Sequence, residues 1–325
     1  MLKIFQTLDA VASRLHQPGA GVARGRAAAG WIAFGRVAAG LVAAGLVGWA
    51  ALASAARAQD ADAIPRVRQL DIVDRAIAHH GGDRYADSAT RLELCSKSGC
   101  TTVFARVDAG RYRYAIARDR RSADGGATVR EVLTMTNAPT DAVTRMRDGA
   151  MAPVDDPQRV RDTIMARVYF PFLPHRLNDP SVWKQDLGVE TWPTDDGGAR
   201  RLHRVRVGFD VGSSTDADDV YHYWFDADTA ELVQFAYVYD DGHDADGRWR
   251  GGGLRFRRLV NARTVGGLRF ADQINLGTEW STRADALAID ALSPSVVDGL
   301  RAVSTITLDA IRVADLADAS TLALP

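Results

Sequence analysis

From Arg91 onward the apolar residues of this chain recur at every second position, in short runs divided by glycine- and aspartate-rich turns. "HRVRVGFDV" (203–211) shows the rule: Val205, Val207, Phe209 and Val211 are apolar, while Arg204, Arg206 and Asp210 are polar. Successive side chains of a strand point to opposite faces, so such a run reads as half-buried, with its valines and His203 toward the covered side. "RLELC", "TTVFARV", "RYRYAIAR" and "VREVLTMTN" repeat the pattern, split by turns at Gly99, Gly110 and Gly125–Gly126. A short hairpin is expected around Asp148–Gly149. "YHYWFDADTAELVQFAYVYD" is the clearest hairpin, two aromatic strands joined through Asp226 to Thr229. "GLRFRRLVNARTVGGLRFADQINL" turns at Val265-Gly266-Gly267, and "AVSTITLDAIRV" is a final strand.

Two segments carry helical spacing instead. In "IPRVRQLDIVDRAIAHHGG" (64–82) Val67, Leu70, Val73 and Ile77 recur at three- and four-residue steps until Gly81–Gly82 stops the helix. "DDPQRVRDTIMARVYF" has an acidic start, Pro157 in the first turn, then Val160, Ile164, Met165 and Val168 on one face. Strands that follow one another, with two helices, predict an α+β fold: a strongly curved antiparallel sheet covered by two main helices. In "FPFLPHRLNDPS" (170–181) Pro171 and Pro174 end the second helix. Asn178-Asp179-Pro180 then turns the chain into the next strand.

The first 58 residues are set apart by composition. Arg24, Arg26 and Arg36 precede the uncharged run Val37–Ala56, and Ala56-Arg57-Ala58 fits a signal-peptidase site. The reading is a signal peptide over 1–58 and a single domain over 59–325, periplasmic or secreted. The apolar run is long enough to span a bilayer, so an uncleaved anchor is the rival, and the membrane is a partner only through it. Without the leader's six basic and one acidic side chains, 34 basic residues face 40 acidic ones. A mildly acidic chain with no basic run is unsuited to nucleic acid. Lys3, Lys97 and Lys184 are the only lysines, and the arginine bias reads as genome composition rather than phosphate chemistry. In an oxidising compartment Cys95 and Cys100, flanking the turn "SKSG", are expected to face each other and form a disulfide.

No catalytic or metal-binding constellation is visible. There is no G-x-S-x-G, no H-E-x-x-H, and no glycine loop opening a helix. The acidic loops "SSTDADDVY" and "YDDGHDADGRW" do not fit a calcium loop. No cofactor is implied. His79 and His80 end the first helix, and His222 faces away from Tyr221, Tyr223 and Phe225. What stands out is apolar surface, because Trp183, Tyr221, Tyr223, Trp224, Phe225, Phe235, Tyr237, Tyr239, Phe256 and Phe270 crowd the second-half strands. A concave sheet face carrying such rings must be filled by helices, a loop or a ligand.

"AIAHHGG", "VYFPFLPHRLNDPSV", "DDVYHYWFD", "FAYVYDDG" and "GLRFRRLVNARTVGGLRFADQINL" occur in this order. Together they resemble the exported bacterial family grouped as domain of unknown function 6503, over about Val67 to Leu276. The resemblance implies an incomplete antiparallel barrel similar to the Lol-type lipoprotein carriers, with no established reaction and no catalytic residues. Many relatives carry a lipid-anchoring cysteine after the signal, where this chain has Gln59.

The leading expectation is a non-enzymatic protein whose half-barrel binds a hydrophobic small molecule or lipid. Phe170, Phe172, Leu173, Trp183, Tyr223, Phe235 and Tyr237 are the expected wall. One alternative is an envelope hydrolase or metal-dependent enzyme using His80, His175 or His222 with Asp179 or Asp272. Another is a structural module binding an envelope protein partner.

Overall fold

Thirteen antiparallel strands form one curved, unclosed sheet in the computed structural model. The structure describes residues 64–108, 111–121, 128–136, 143–194, 196–210, 219–239, 253–277 and 288–322. The leader, nearly all of both acidic loops and the turn at Gly125–Gly126 lie outside the described residues. Among the described residues no helix is long and apolar enough to cross a membrane.

The strands make two meanders. The first is β1 (Ser88–Ser96), β2 (Gly99–Asp108), β3 (Arg111–Arg121), β4 (Thr128–Thr136), β5 (Thr144–Arg147) and β6 (Ala150–Met151). The second is β7 (Val182–Pro193), β8 (Ala199–Phe209), β9 (Val220–Asp226), β10 (Leu232–Tyr239), β11 (Gly253–Val265) and β12 (Leu268–Gly277). β13 (Arg301–Asp315) then pairs with both β12 and β1, joining the meanders into one sheet with β6 and β7 at its edges. The expected hairpins are present. Asp226 closes the β9–β10 turn by accepting the Thr229 amide (2.7 Å) and hydroxyl (2.9 Å). Gly266 (φ 55°) and Gly267 (φ 87°) form the β11–β12 turn in the left-handed region, where glycine costs least. Cys95 stands opposite Cys100 in the β1–β2 ladder, and the two form a disulfide.

Four α-helices are described: α1 (Asp71–His79), α2 (Asp83–Ala86), α3 (Pro157–Val168) and α4 (Pro294–Asp298). The expected helix over 64–82 is shorter than its periodicity suggests. Val67 exchanges two backbone hydrogen bonds with Lys184 of the edge strand β7 (both 2.8 Å), which holds the preceding chain extended. α3 opens as expected, with Asp156 accepting the Arg159 amide at 2.9 Å.

Both faces of the sheet are covered. On the inner face Ile72, Val73 and Ala76 of α1 and Val160, Ile164 and Val168 of α3 join Tyr223, Phe225 and Phe235 in the main core. On the outer face Trp192, Leu202, Trp224 and Phe256 are roofed by Ile289, Leu292 and Val297, from the chain just before β13. Arg204 is therefore not on a solvated face. It is 3% exposed and donates to His222 Nδ1 (2.8 Å), the Ile289 carbonyl (2.8 Å) and the Leu292 carbonyl (3.2 Å). The outer roof turns a position that reads as polar surface into a second core.

Candidate functional site: an arginine-lined cleft beside a closed aromatic core

The inner face has two ends of different character. At one end the 3₁₀ turn Phe170–Phe172, which continues α3, inserts its rings against β10. Phe170 stacks on Phe235 (5.3 Å between centroids) and on Tyr237 (5.3 Å). Tyr169 shares a hydrogen bond of 3.0 Å with the Tyr223 hydroxyl, so the buried phenols are satisfied. Burial holds the Tyr169 phenol up at about 12. Phe172, Leu173 and Leu177 are also buried here, and His175 stacks on Tyr85 at 4.4 Å. This end is sealed by its own side chains.

At the other end a cleft of about 510 Å³ opens between the β1–β2 tip, α3 and the strands β10 to β13. That is within the roughly 300–1,000 Å³ typical of small-ligand sites. Leu94, Leu133, Val160, Val303 and Ile306 give it apolar wall, and Tyr237 borders it from the closed end. The rest is basic: seven arginines and Lys97 line it against Asp119, Asp155 and Asp156. The register of β10, β11 and β12 places the inner arginines. Phe235 faces Arg257, which faces Asn275, and Tyr237 faces Arg255. In "LRFRRL" the apolar Leu254 and Phe256 point to the outer core, so Arg255 and Arg257 point inward.

Glu131, 1% exposed, lies behind the lining and joins three arginines. It binds Arg118 (2.8 Å) and Arg145 (2.9 Å), with Arg120 at 3.6 Å. Burial alone would raise its pKa, but the Arg118 hydrogen bond and the three positive charges hold it below the usual carboxylate range. Arg257, 2% exposed, donates to Gln273 Oε1 (2.6 Å) and the Tyr237 hydroxyl (3.0 Å), with its guanidinium 4.3 Å above the Phe170 ring. Such stacking fixes the cation's plane and leaves its charge in place.

The expected wall is divided by this arrangement. Tyr237 lines the cleft, and Phe170 and Phe235 lie one layer behind it, under Arg257. Phe172, Leu173 and Tyr223 belong to the sealed end. Trp183 lies at the β7 edge, where its ring crosses Gly208 so closely that a Cβ there would stand 2.1 Å away. Its indole donates to the Phe209 carbonyl (3.1 Å), and Arg66 covers it at 4.2 Å. The cleft arginines are legible in sequence only as residues flanking an aromatic. Alternation says that Arg255 and Arg257 share a face, not which face is inside.

The histidines and carboxylates of the enzymatic alternative do not converge. His80 accepts the Leu232 amide at 3.1 Å, and its pKa is lowered to about 3 by burial and by nearby His175. His222 pairs with Asp290 (2.9 Å) in the outer layer, and burial with the Arg204 charge lowers it to about 3. Asp179 binds Arg176, and Asp272 binds Arg263 and the Leu308 amide. His80, His222, Asp179 and Asp272 thus serve structural contacts in separate places, while the buried Nδ1 atoms of His80 and the neighbouring His175 have no hydrogen-bond partner among the described residues. Among the described residues one group, Glu93 with Cys95 and Cys100, has metal-ligand spacing. Its sulfurs are consumed by the disulfide.

No family model matches the chain, and none of the curated proteins matches it. Among solved structures it is similar to a LolA superfamily protein from Nitrosomonas europaea, at 12% identity and a TM-score of 0.36, covering 76% of this chain and 93% of that one. It is also similar to a domain named for outer membrane lipoprotein sorting from Vibrio parahaemolyticus, at 9% identity and a TM-score of 0.34, covering 78% and 97%.

Proposed function

We propose that this is an exported, non-enzymatic protein, periplasmic or secreted, that binds a lipid or other acyl-chain ligand in the inner-face cleft. The observation that carries the proposal is the cleft itself. The sheet and α3 enclose one end of the inner face with rings and leave the other end open, walled in part by leucine, valine and isoleucine. Apolar wall facing water is unfavourable, and covering it with an acyl chain contributes about 0.8 kcal/mol per buried methylene. Roughly ten methylenes would match a micromolar dissociation constant before association costs. Within this reading Tyr237 touches the ligand, Phe170 and Phe235 support it from behind, and Phe172, Leu173 and Tyr223 keep the far end closed. The leader supports export, and the scattered histidines support binding without catalysis.

The test is native mass spectrometry of protein purified from a bacterial envelope, followed by solvent extraction and titration with a neutral naphthylamine probe. Co-purifying lipid, or probe binding that rises after extraction, is the expected result. Protein that carries no lipid and takes up no probe overturns the proposal.

A further inference from the structure

Buried arginines in a folded protein are ordinarily bound on several sides, because an uncompensated charge in the interior is strongly unfavourable. Arg204 in the outer layer obeys this, with His222 Nδ1 and the carbonyls of Ile289, Asp290 and Leu292 accepting from its guanidinium. Arg167 does not. It projects from α3 into the cleft and is 7% exposed. Among the described residues no hydrogen bond or ion pair engages its guanidinium. The charged groups that face it are Arg118 and Arg257, both cations. Burial and those two charges lower its pKa to about 10, which still leaves it protonated at neutral pH.

A second buried group in the cleft is also unsatisfied. Asn275 is 5% exposed and donates Nδ2 to the Ser304 hydroxyl at 3.3 Å, while its Oδ1 has no partner. Turned over, the same amide offers a donor to the cleft. Arg257 is held beside it by Gln273 and Tyr237, so its orientation is set before any ligand arrives. Of the nearby acids, Glu131 is committed to three arginines, Asp156 to the Arg159 amide and Asp119 to Arg130, and Asp155 lies exposed at the rim.

We propose that the cleft binds an amphiphile by an anionic headgroup, phosphate or carboxylate, whose oxygens take the place of Arg167's missing acceptors. Arg167 and Arg257 hold the oxygens, Asn275 donates beside them, and Leu94, Leu133 and Ile306 take the start of the chain. The chain's part in this rests on the acyl-binding reading above, whereas the headgroup's part does not. A charge-assisted pair in a desolvated site is stronger than a neutral hydrogen bond, and planar guanidinium matches such oxygens two at a time.

Calorimetric titration with decyl phosphate, decanol and inorganic phosphate separates the two parts. Decyl phosphate is expected to bind roughly tenfold or more tightly than decanol, and Arg167→Met to remove that preference. The unliganded Arg167→Met protein is expected to melt above wild type, since an unpartnered buried cation is gone. That higher melting temperature also shows that the variant folds. Equal affinity for decyl phosphate and decanol overturns the headgroup inference and leaves the acyl reading standing. Inorganic phosphate binding as tightly as decyl phosphate upholds the anion site and removes the acyl reading. Retention of the phosphate preference by Arg167→Met overturns the assignment of Arg167.

Discussion

The two ends of the inner face are built on neighbouring residues of the same strands, yet one is filled and the other is not. At the closed end Phe235 meets Phe170 and Tyr223 in ring contacts and is 0% exposed. Opposite it in the ladder stands Arg257, on the cleft. A core position filled by a ring gains from apolar burial whatever else binds. A core position filled by Arg257 is held by Gln273, Tyr237 and the Phe170 ring, and it brings a positive charge to the cleft. In the proposed reading the contrast separates stability from binding: the rings hold the fold, and the arginines serve the site.

The largest effect expected from breaking that contrast is at the closed end. Phe172→Ala removes a buried ring that belongs to the sealed end alone and should cost about 3–5 kcal/mol in urea denaturation. Binding by the molecules that remain folded should change little.

Acid sharpens the contrast next. His80 and His222 have folded pKa values of about 3 and His175 of about 4, all below the ordinary 6.5. Burial is the leading cause in each case. An unfolded chain takes up these protons at higher pH than the folded one, so the stability they contribute is fully present above about pH 6.5. It is lost as pH falls toward 3 to 4. With three such groups the slope should approach 4 kcal/mol per pH unit around pH 5. Denaturation midpoints measured from pH 7 to pH 4 check this. Hydrogen exchange at pH 5 should therefore show the Tyr85–His175 region loosening before α3.

A smaller effect belongs to the open end. Replacing Cys95 and Cys100 by serine should cost about 2 kcal/mol by the loop-closure estimate for so short a loop. Because Cys100 lines the cleft, the same change should weaken ligand binding, which Phe172→Ala should not.

How much of this was readable in the chain follows from what alternation can and cannot specify. The β9–β10 and β11–β12 hairpins were legible, because Asp226 and Gly266–Gly267 are turn chemistry with a local cause. The paired cysteines were legible for the same reason. Alternation also grouped Arg255 with Arg257 and Leu254 with Phe256. It could not say that the apolar pair faces outward. That choice is made by Ile289, Leu292 and Val297, which come from a segment without periodicity and roof the outer face. The same roof hid Arg204 and put Trp224 and Phe256 in a different layer from Phe235. The helix over 64–82 was overextended because Val67 keeps helical spacing while its backbone pairs with Lys184. In each miss a distant segment overrode a correct local pattern.

The most direct measurement is photo-crosslinking with an acyl phosphate that carries a diazirine near its headgroup, followed by peptide mapping. The account predicts label on the cleft wall, at Leu94, Leu133 and Ile306 and on α3 near Arg167. Label concentrated on Phe172 and Tyr223, at the closed end, would contradict it.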